Sequence, residues 1–339
     1  MIIRFGIDLA KSSFAVCGVD ENEHIALRKM LNRKQLLHFF ANQPPAVVAM
    51  EAGSGAHHWA RELRALGHDA RIIDPRLVSP YRQQGRTGKN DANDAAAVCE
   101  AAGRPTMSFV SIKSLEQQGV LMVHRRRRSI VAEHTRTANQ IRGFLAEFGV
   151  VVPKGVQILK QRWPELRRQY AEQLPELAWQ ELDALHARLR ELHVQTLAYD
   201  RQIKGFVRAD QRAQRLASIN GIGPITASAI VATVGNAREF KNGRQFSAWI
   251  GLTPRQYSTG GKPRLGKISK RGDPYLRTLL VHGARSELMY TPRRKDEKSK
   301  WAENLKARTS WNKTAVALAN KHARIAWAIL ANDAKPALT

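Results

Sequence analysis

Four carboxylate side chains occupy positions in the sequence that folding could bring together. Asp8 ends the first apolar run of the sequence, and Glu51 ends a later apolar run. Asp91 and Asp94 are three residues apart at the start of an alanine-rich segment, which predicts a helix. Hard oxygen ligands that converge from two strand ends and one helix face suit Mg²⁺. The pattern therefore predicts a site for one or two magnesium ions that supports phosphoryl transfer.

The order of these acids is more informative than any one of them. A single aspartate at a strand end is more often a turn residue or a helix cap. The joint pattern matches RNase H-like nucleases of the RuvC type, in which the acids gather at one edge of the sheet. We interpret all four as metal ligands. Asp74 also ends an apolar run, but Pro75 follows it directly, so we predict a turn residue there.

A second segment with residue types suited to chemistry covers residues 257–273. It combines hydroxyl side chains, glycines and a series of cations. A hydroxyl among cations could attack a phosphate, because the cations would stabilise the charge on the transferring group. The alternative is a basic loop that only touches DNA. Residue types alone do not choose among Ser258, Thr259 and Ser269 as the nucleophile.

The charge of the chain predicts a polyanionic partner. The 339 residues include 55 Lys+Arg and 29 Asp+Glu, for a formal net charge of +26. Nucleic acid fits such a field, because each phosphate contact releases condensed counterions. We expect no membrane association, since we find neither a long apolar segment nor a secretory start. Cys17 and Cys99 have no metal-ligand spacing and form no disulfide framework, which favours a reducing cytoplasm.

Several basic or glycine-rich stretches are candidates for nucleic-acid contact. Four consecutive arginines from residue 125 encircle a helix, so they cannot all face a core, although a solvated face is the alternative. The loop over residues 221–226 resembles a helix-hairpin-helix loop that binds phosphates, although a tight helix connection is the alternative. The predicted contacts are Arg125, Arg126, Arg127, Arg128, Gly221, Gly223, Thr226, Lys262, Lys270 and Arg271.

Three regions must position these residues. Residues 1–107 alternate strand and helix signals and predict an α/β, RNase H-like (RuvC-like) catalytic domain. Residues 108–207 predict long helices for dimerisation and nucleic-acid binding. Residues 208–339 predict a mostly α C-terminal domain that contains the helix-hairpin-helix-like motif and the catalytic serine. The tryptophans of this last region are interpreted as packing residues: Trp249, Trp301, Trp311 and Trp327.

Local patterns predict individual elements within these regions. In the first region they favour a returning strand over residues 14–19, a helix over 57–66, a strand over 69–74 and a mobile polar loop over 83–90.

In the middle region, apolar spacing alternates between three and four, as in a coiled coil. Such a seam could join two molecules, form an antiparallel pair, or pack a helix on its own domain. Proline residues predict helix breaks at 153, 164 and 175. The residues of the seam are Leu182, Leu185, Leu189, Leu192, Thr196, Tyr199 and Ile203.

Six short motifs together resemble a known family. They are Phe5–Lys11 (FGIDLAK), Met50–Ala52 (MEA), Lys89–Ala95 (KNDANDA), Ile219–Gly223 (INGIG), Phe246–Pro254 (FSAWIGLTP) and Ile268–Asp273 (ISKRGD). Over nearly its whole length, the chain resembles bacterial insertion-sequence transposases of the IS one-ten family, including its IS eleven-eleven branch. Such proteins join a RuvC-like DEDD domain to a C-terminal transposase domain.

The resemblance implies a DNA recombinase with a composite site. Acids corresponding to the four above would bind Mg²⁺, and a C-terminal serine would attack DNA to form a phosphoserine link. A structured noncoding RNA would pair with target and donor DNA. Dimers would pair into tetramers in the bacterial cytoplasm, in association with the nucleoid.

Alignment of the motifs gives two registers for the nucleophile. Matching from the downstream Lys270-Arg271 side selects Ser258, whereas matching from the upstream motif can favour Thr259. We choose Ser258 and place Ser269 third.

Three functional hypotheses follow. The first is an RNA-guided DNA transposase with a serine nucleophile. The second is a metal-dependent nuclease of the Holliday-junction resolvase class, which would use the same acids with water as nucleophile. The third is a non-enzymatic architectural protein whose acids are structural. The segment containing Ser258 argues against the second hypothesis, and the placement of the acids argues against the third.

Overall fold

The protein is described by a computed structural model that covers residues 1–82 and 90–332. Its contacts divide the chain into two compact units, Met1–Ser114 and Leu115–Thr339. The further division predicted at residue 207 stays a prediction. Most of the polar loop predicted over 83–90 lies outside the described residues.

A mixed six-stranded sheet forms the centre of the first unit. The sheet order is β3-β2-β1-β4-β5-β6; β4 is parallel to β1 and β5, and the other neighbours are antiparallel. The strands are β1 (Ile2–Leu9), β2 (Ser13–Asp20), β3 (Ile25–Asn32), β4 (Val47–Glu51), β5 (Asp69–Ile73) and β6 (Phe109–Val110). The helices are α1 (Arg33–Ala41), α2 (Ala56–Ala65), α3 (Pro75–Val78) and α4 (Asp91–Ala102).

The strands and the helix predicted locally in this unit are confirmed. The returning strand is β2, the helix near residue 60 is α2, and the following strand is β5. Asp74 is the N-cap of α3 and accepts a hydrogen bond from the Arg76 N–H, so it is a turn residue as predicted. The sheet and its neighbouring helices agree with the predicted RNase H-like domain.

Packing on the two faces of β1 brings α4 close to the sheet. Phe5 and Ile7 enter one apolar core with residues of α1 and α2. Gly6 points to the other face, where a Cβ atom would lie 2.3 Å from the Ala95 carbonyl oxygen. Only glycine permits so close an approach of backbone to backbone. Asp8 is two residues further along the same face, because side chains alternate along a strand.

The second unit is mostly helical. Its one two-stranded antiparallel sheet consists of β7 (Pro254–Gln256) and β8 (Leu265–Ile268). A single apolar core joins the helices from α8 onward. The helices are α5 (Leu115–Glu147), α6 (Val156–Gln169), α7 (Glu176–Ala209), α8 (Gln211–Ala217), α9 (Pro224–Thr233), α10 (Gly243–Ile250), α11 (Pro274–Leu288), α12 (Glu297–Arg308) and α13 (Trp311–Asn332).

The leucine seam of α7 packs against α5 of the same chain. Arg127 pairs with Asp200 at 2.5 Å, and Glu133 pairs with Arg188 at 2.6 Å. Higher numbers on one helix meet lower numbers on the other, so the two helices are antiparallel. Of the predicted seam, Leu182, Leu189, Leu192 and Ile203 are at most 2% exposed. The seam is therefore an intrachain antiparallel pair and lends no support to dimerisation.

One of the predicted helix breaks is wrong. Pro153 and Pro175 lie in the connections before α6 and α7, as predicted. Pro164 instead lies inside α6, although proline removes one backbone hydrogen bond there. Leu159, Trp163 and Leu166 are buried on the same helix, and this packing holds the interrupted helix together.

Candidate active site

Asp8 and Glu51 lie at the same level of the sheet. The parallel register pairs Gly6 with Ala49 and Ile7 with Met50. Asp8 follows directly on β1, and Glu51 is the last residue of β4. Side-chain alternation puts Glu51 on the same face as Ala49, which packs against α4 residues in an apolar cluster. Two of the predicted acids therefore project from adjacent strand ends on the α4 side.

The helix that carries the other two acids begins at this edge. The Asn90 side chain caps α4 by accepting a hydrogen bond from the Asn93 N–H at 2.8 Å. Asp94 is 8% exposed, whereas Asp91, one turn earlier, is exposed. Residues three apart share a helix face. The structure thus brings Asp94 into the site and leaves Asp91 at its solvent rim.

An arginine that sequence analysis missed bridges two of the acids. Arg82 donates from Nη2 to Glu51 Oε1 at 2.6 Å, and its Nε lies 2.9 Å from Asp94 Oδ1. The site therefore already holds one positive charge between carboxylates. In the sequence Arg82 is one of several cations after the Asp74 turn, which is too common a pattern to predict a site.

The acids share one electrostatic environment. Burial raises the pKa of Glu51 above its ordinary value, and the negative charges of Asp8 and Asp94 raise it further. The Arg82 guanidinium opposes this shift. Like charges placed together favour protonation unless a cation compensates them. The donor set thus fits a hard divalent cation. Among the described residues, however, no group of three or more His, Cys, Asp or Glu side chains is arranged to hold one.

The segment with the candidate serine is a β-hairpin, built by β7 and β8. Thr259 and Lys262 pair across its tip, and the two residues between them, Gly260 and Gly261, have φ of +57° and +75°. Two central residues with positive φ match the twist of a hairpin and favour glycine. Ser258 therefore precedes a tight turn at the tip of an ordered hairpin.

Exposure separates the three candidate hydroxyls only in part. Ser258 is exposed, and its Oγ accepts a hydrogen bond from Gln256 Nε2 at 2.7 Å. Thr259 is also exposed, whereas Ser269 is half-buried and its N–H donates to the Thr253 carbonyl at 2.8 Å. No acidic side chain occurs from 254 to 272. The cations of this stretch are Arg255, Lys262, Arg264, Lys267, Lys270 and Arg271.

Two glycines fix the base of the hairpin. Gly251 ends α10 with φ of +82°, and a Cβ atom there would lie 2.8 Å from the Arg271 backbone nitrogen. A Cβ atom on Gly272 would lie 1.9 Å from the Trp249 carbonyl oxygen. The end of α10 and the residues after β8 therefore touch backbone to backbone. This contact holds the hairpin and its serine on the helical core.

The predicted phosphate-binding loop lies between α8 and α9 and is tightly packed. A Cβ atom on Gly221 would lie 2.3 Å from a ring carbon of His322 and 2.6 Å from a carboxylate oxygen of Glu287. Thr226 is 6% exposed, so its hydroxyl does not face solvent. Gly223 has open space beside it. Phosphate binding by this loop stays a prediction, and the Thr226 side chain is not available for it.

The four consecutive arginines differ in their surroundings. Arg125 and Arg126 are exposed on α5. The Arg127 guanidinium pairs with Asp200 between two helices of the protein, and Arg128 lies over the Tyr275 ring at 5.7 Å. Arg127 is thus the least available of the four for a phosphate, while the first two have no such restraint.

The sequence matches two family descriptions. Residues 5–149 match a DEDD transposase model of the IS110 type, and residues 213–299 match the family described as "Transposase IS116/IS110/IS902 family". A probable family 20 transposase of Pseudomonas aeruginosa is 48% identical, with 97% of each chain covered. The chain belongs to the IS110 family of transposases. It is a DNA transposase, and its DEDD domain points to dependence on a divalent metal.

Two further relatives of this IS110-family transposase carry the names of their insertion elements. The transposase of the element IS1328 of Yersinia enterocolitica is 40% identical over 97% of this chain and 96% of its own length. The transposase of the element IS1111A of Coxiella burnetii is 38% identical over 96% of this chain and 88% of its own length. Within the described parts of this transposase, no helix has the length and apolarity to cross a membrane.

Proposed function

We propose that this transposase cuts and rejoins double-stranded DNA through a covalent bond to Ser258. The observation that supports this most is the position of Ser258, which is exposed at the tip of a hairpin whose charged residues are all cations. A hydroxyl in this position can approach a DNA phosphate without moving the protein core. The surrounding cations would stabilise the extra negative charge of the transition state.

The covalent step exchanges one phosphate ester for another. The Ser258 Oγ forms a bond to the scissile phosphorus as the bond to the leaving deoxyribose oxygen breaks. The serine proton is released, and the leaving oxygen takes up a proton. Gln256 already donates to the Ser258 Oγ, so the hydroxyl hydrogen is free to point elsewhere. Rejoining is the reverse attack by a new deoxyribose oxygen on the phosphoserine.

The acids have the complementary role in this proposal. Asp8, Glu51, Asp91 and Asp94 would hold one or two Mg²⁺ ions, which when bound would neutralise charge on the scissile phosphate. Three of these side chains already interact electrostatically, as the raised pKa of Glu51 indicates. Asp91 would join them from the solvent rim. The acids lie in the first unit and Ser258 lies in the second.

A structured noncoding RNA and a homo-oligomer complete the proposal. The net charge of +26 is compatible with holding two nucleic acids. Base pairing by the RNA would then supply sequence specificity, and the protein would hold backbone and shape. The proposed dimers and tetramers would use surfaces other than the leucine seam of α7.

A gel search for covalent protein–DNA adducts tests the central claim. Labelled element-junction DNA, a transcript of the element's noncoding end and Mg²⁺ would be incubated with wild type, Ser258→Ala, Thr259→Ala and Asp8→Asn. We expect an adduct with wild type and Thr259→Ala, and none with the other two. An adduct lost only in Thr259→Ala would identify Thr259, rather than Ser258, as the nucleophile. Cleavage without an adduct, unchanged by Ser258→Ala, would establish a resolvase-like nuclease instead.

A further inference from the structure

A groove between α10, α12 and α13 lies beside the serine hairpin. Its volume is about 930 Å³, and its lining includes Trp301 and Trp327. Both indoles are half-buried and pack against the helical core, as the sequence predicted for these tryptophans. The floor of the groove is therefore apolar and packed on the helical core.

Four cations surround this apolar floor. Arg244, Lys313 and Arg324 are exposed, and Lys321 lies over the Trp301 ring at 4.5 Å. None of the four forms an ion pair with any residue that the structure describes, and the described lining includes no acid. The pKa of Lys321 is lowered by burial and by the nearby charges of Lys298 and Arg324, against opposing effects of Asp296 and Glu287. The groove is thus a concentration of positive charge in which Arg244, Lys313 and Arg324 are exposed.

The groove continues onto the hairpin. Pro254 and Ile268, which pair across the base of the hairpin, both line it. Asn320 of α13 donates a hydrogen bond to the Leu252 carbonyl at 3.3 Å, which ties this wall to the groove floor. Ser258 is four residues beyond Pro254, a distance of about 13 Å along an extended chain.

We propose that this groove binds the backbone of the DNA duplex that is cut at Ser258, next to the part of the duplex that contains the scissile phosphate. Cations beside an apolar aromatic surface are complementary to phosphates and deoxyribose. Continuity with the hairpin favours DNA over the RNA, because the nucleophile acts on DNA. The assignment of the groove to the duplex that is cut rests on the proposed role of Ser258. Binding of DNA in the groove does not depend on that role.

Binding would be measured with full-length protein in the Ser258→Ala background, so that chemistry does not intervene. The probe is a fluorescent duplex carrying the element junction, titrated at several salt concentrations. Arg244→Gln, Lys313→Gln and Arg324→Gln would be combined in one variant. We expect a rise in Kd of about tenfold or more, and a slope of log K against log salt that is smaller by roughly two to three.

A charge-matched control separates the groove from net charge. Arg190, Arg201 and Lys204 are exposed on α7, and replacing all three by Gln removes the same charge. We expect this control to change Kd by less than about threefold, because none of the three residues lines the groove and none is among the predicted contacts. Equal losses in both triple variants, or no loss in the groove variant, would overturn the proposal. Circular dichroism melts would establish that both variants fold.

Two further outcomes separate this inference from the proposed function. If the groove variant weakens binding of the noncoding transcript but not of the junction duplex, the groove holds RNA and the inference is wrong. If neither the wild type nor any variant forms a covalent adduct but the groove variant still loses DNA affinity, the proposed serine mechanism is wrong. The inference that the groove binds DNA is then still supported. With Ser258 present, we expect the groove variant to form adducts more slowly than the α7 control.

Discussion

Arg82 illustrates how one side chain can compensate a cluster of acids. Its guanidinium contacts Glu51 and Asp94, which would otherwise repel each other and Asp8. A metal ion placed among the same oxygens would compete with this guanidinium. The arginine therefore stabilises the acids in the absence of metal and must be displaced, at least in part, when metal binds.

Replacement of Arg82 should make the protein more responsive to metal. In Arg82→Gln the acids lose their compensating charge, so we expect a lower melting temperature without metal. We also expect Mg²⁺ to raise that temperature by more than it does in wild type, because no cation competes for the oxygens. Thermal denaturation with and without Mg²⁺ measures both effects. Arg76→Gln, which breaks the ion pair with Asp74 outside the acid cluster, is the control. A rise in melting temperature with Mg²⁺ that is no larger than in wild type would contradict competition between Arg82 and the metal.

His124 is a buried group whose protonation opposes folding. Its Nδ1 lies 2.9 Å from the Tyr275 hydroxyl and its Nε2 lies 3.0 Å from Ser228 Oγ. Burial, together with the charge of Arg127, lowers the pKa of His124 to about 4 from the ordinary 6.5. The unfolded chain therefore takes up a proton between these values while the folded chain does not. By linkage, stability is lost as the pH falls through this window.

His124→Asn should reduce this acid sensitivity. Between about pH 7 and about pH 5, we expect wild type to lose up to about 2 kcal/mol more unfolding free energy than the variant. The variant itself is less stable at neutral pH, since it loses packing and at least one hydrogen bond. Urea unfolding at the two pH values gives the comparison. Equal pH dependence of the two proteins would show that folding does not lower the pKa of His124.

At the scale of elements, the antiparallel pair of α5 and α7 shows which surface covers an apolar helix face. The seam of α7 could have joined two molecules, but α5 of the same chain covers it. Leu189 is fully buried in this pair, whereas Leu197 of the same helix is 47% exposed. The two leucines thus provide a matched test of whether the seam packs within one chain or between two molecules.

Leu189→Ala should destabilise the protein without changing its assembly. We expect a loss of about 2–5 kcal/mol in unfolding free energy from the cavity left behind. Leu197→Ala should cost much less, because its side chain remains partly in water. Urea unfolding measures stability and light scattering measures mass. A drop in mass for Leu189→Ala alone would return the seam to an interface between subunits.

At the scale of the whole molecule, the positive charge is useful only where it is not already paired. Arg125 and Arg126 are exposed, whereas Arg127 is engaged with Asp200. For Arg125→Gln combined with Arg126→Gln, we expect the salt dependence of nucleic-acid affinity to fall by about two in slope. Arg127→Gln should leave the slope unchanged and lower stability. Fluorescence anisotropy at several salt concentrations, together with melting curves, checks both expectations. Identical slopes for all variants would show that these arginines of α5 do not contact the nucleic acid.

Sequence alone was sufficient for properties that depend on local spacing and on total charge. The strand ends of Asp8 and Glu51, the helix that begins at Asp91, and the three-four spacing of the α7 seam are read from neighbouring residues. The net charge needs no structure at all.

Only the tertiary structure decided which distant residues meet. Nothing local to Arg82 predicts contact with Glu51, 31 residues away, and nothing local to α7 selects α5 as its partner. The hairpin around Ser258 depends on pairing across a glycine turn, and the basic groove beside it unites residues from 244 to 324. Such contacts result from the packing of whole elements. The period of a sequence pattern specifies which face is apolar, but it does not name the surface that covers that face.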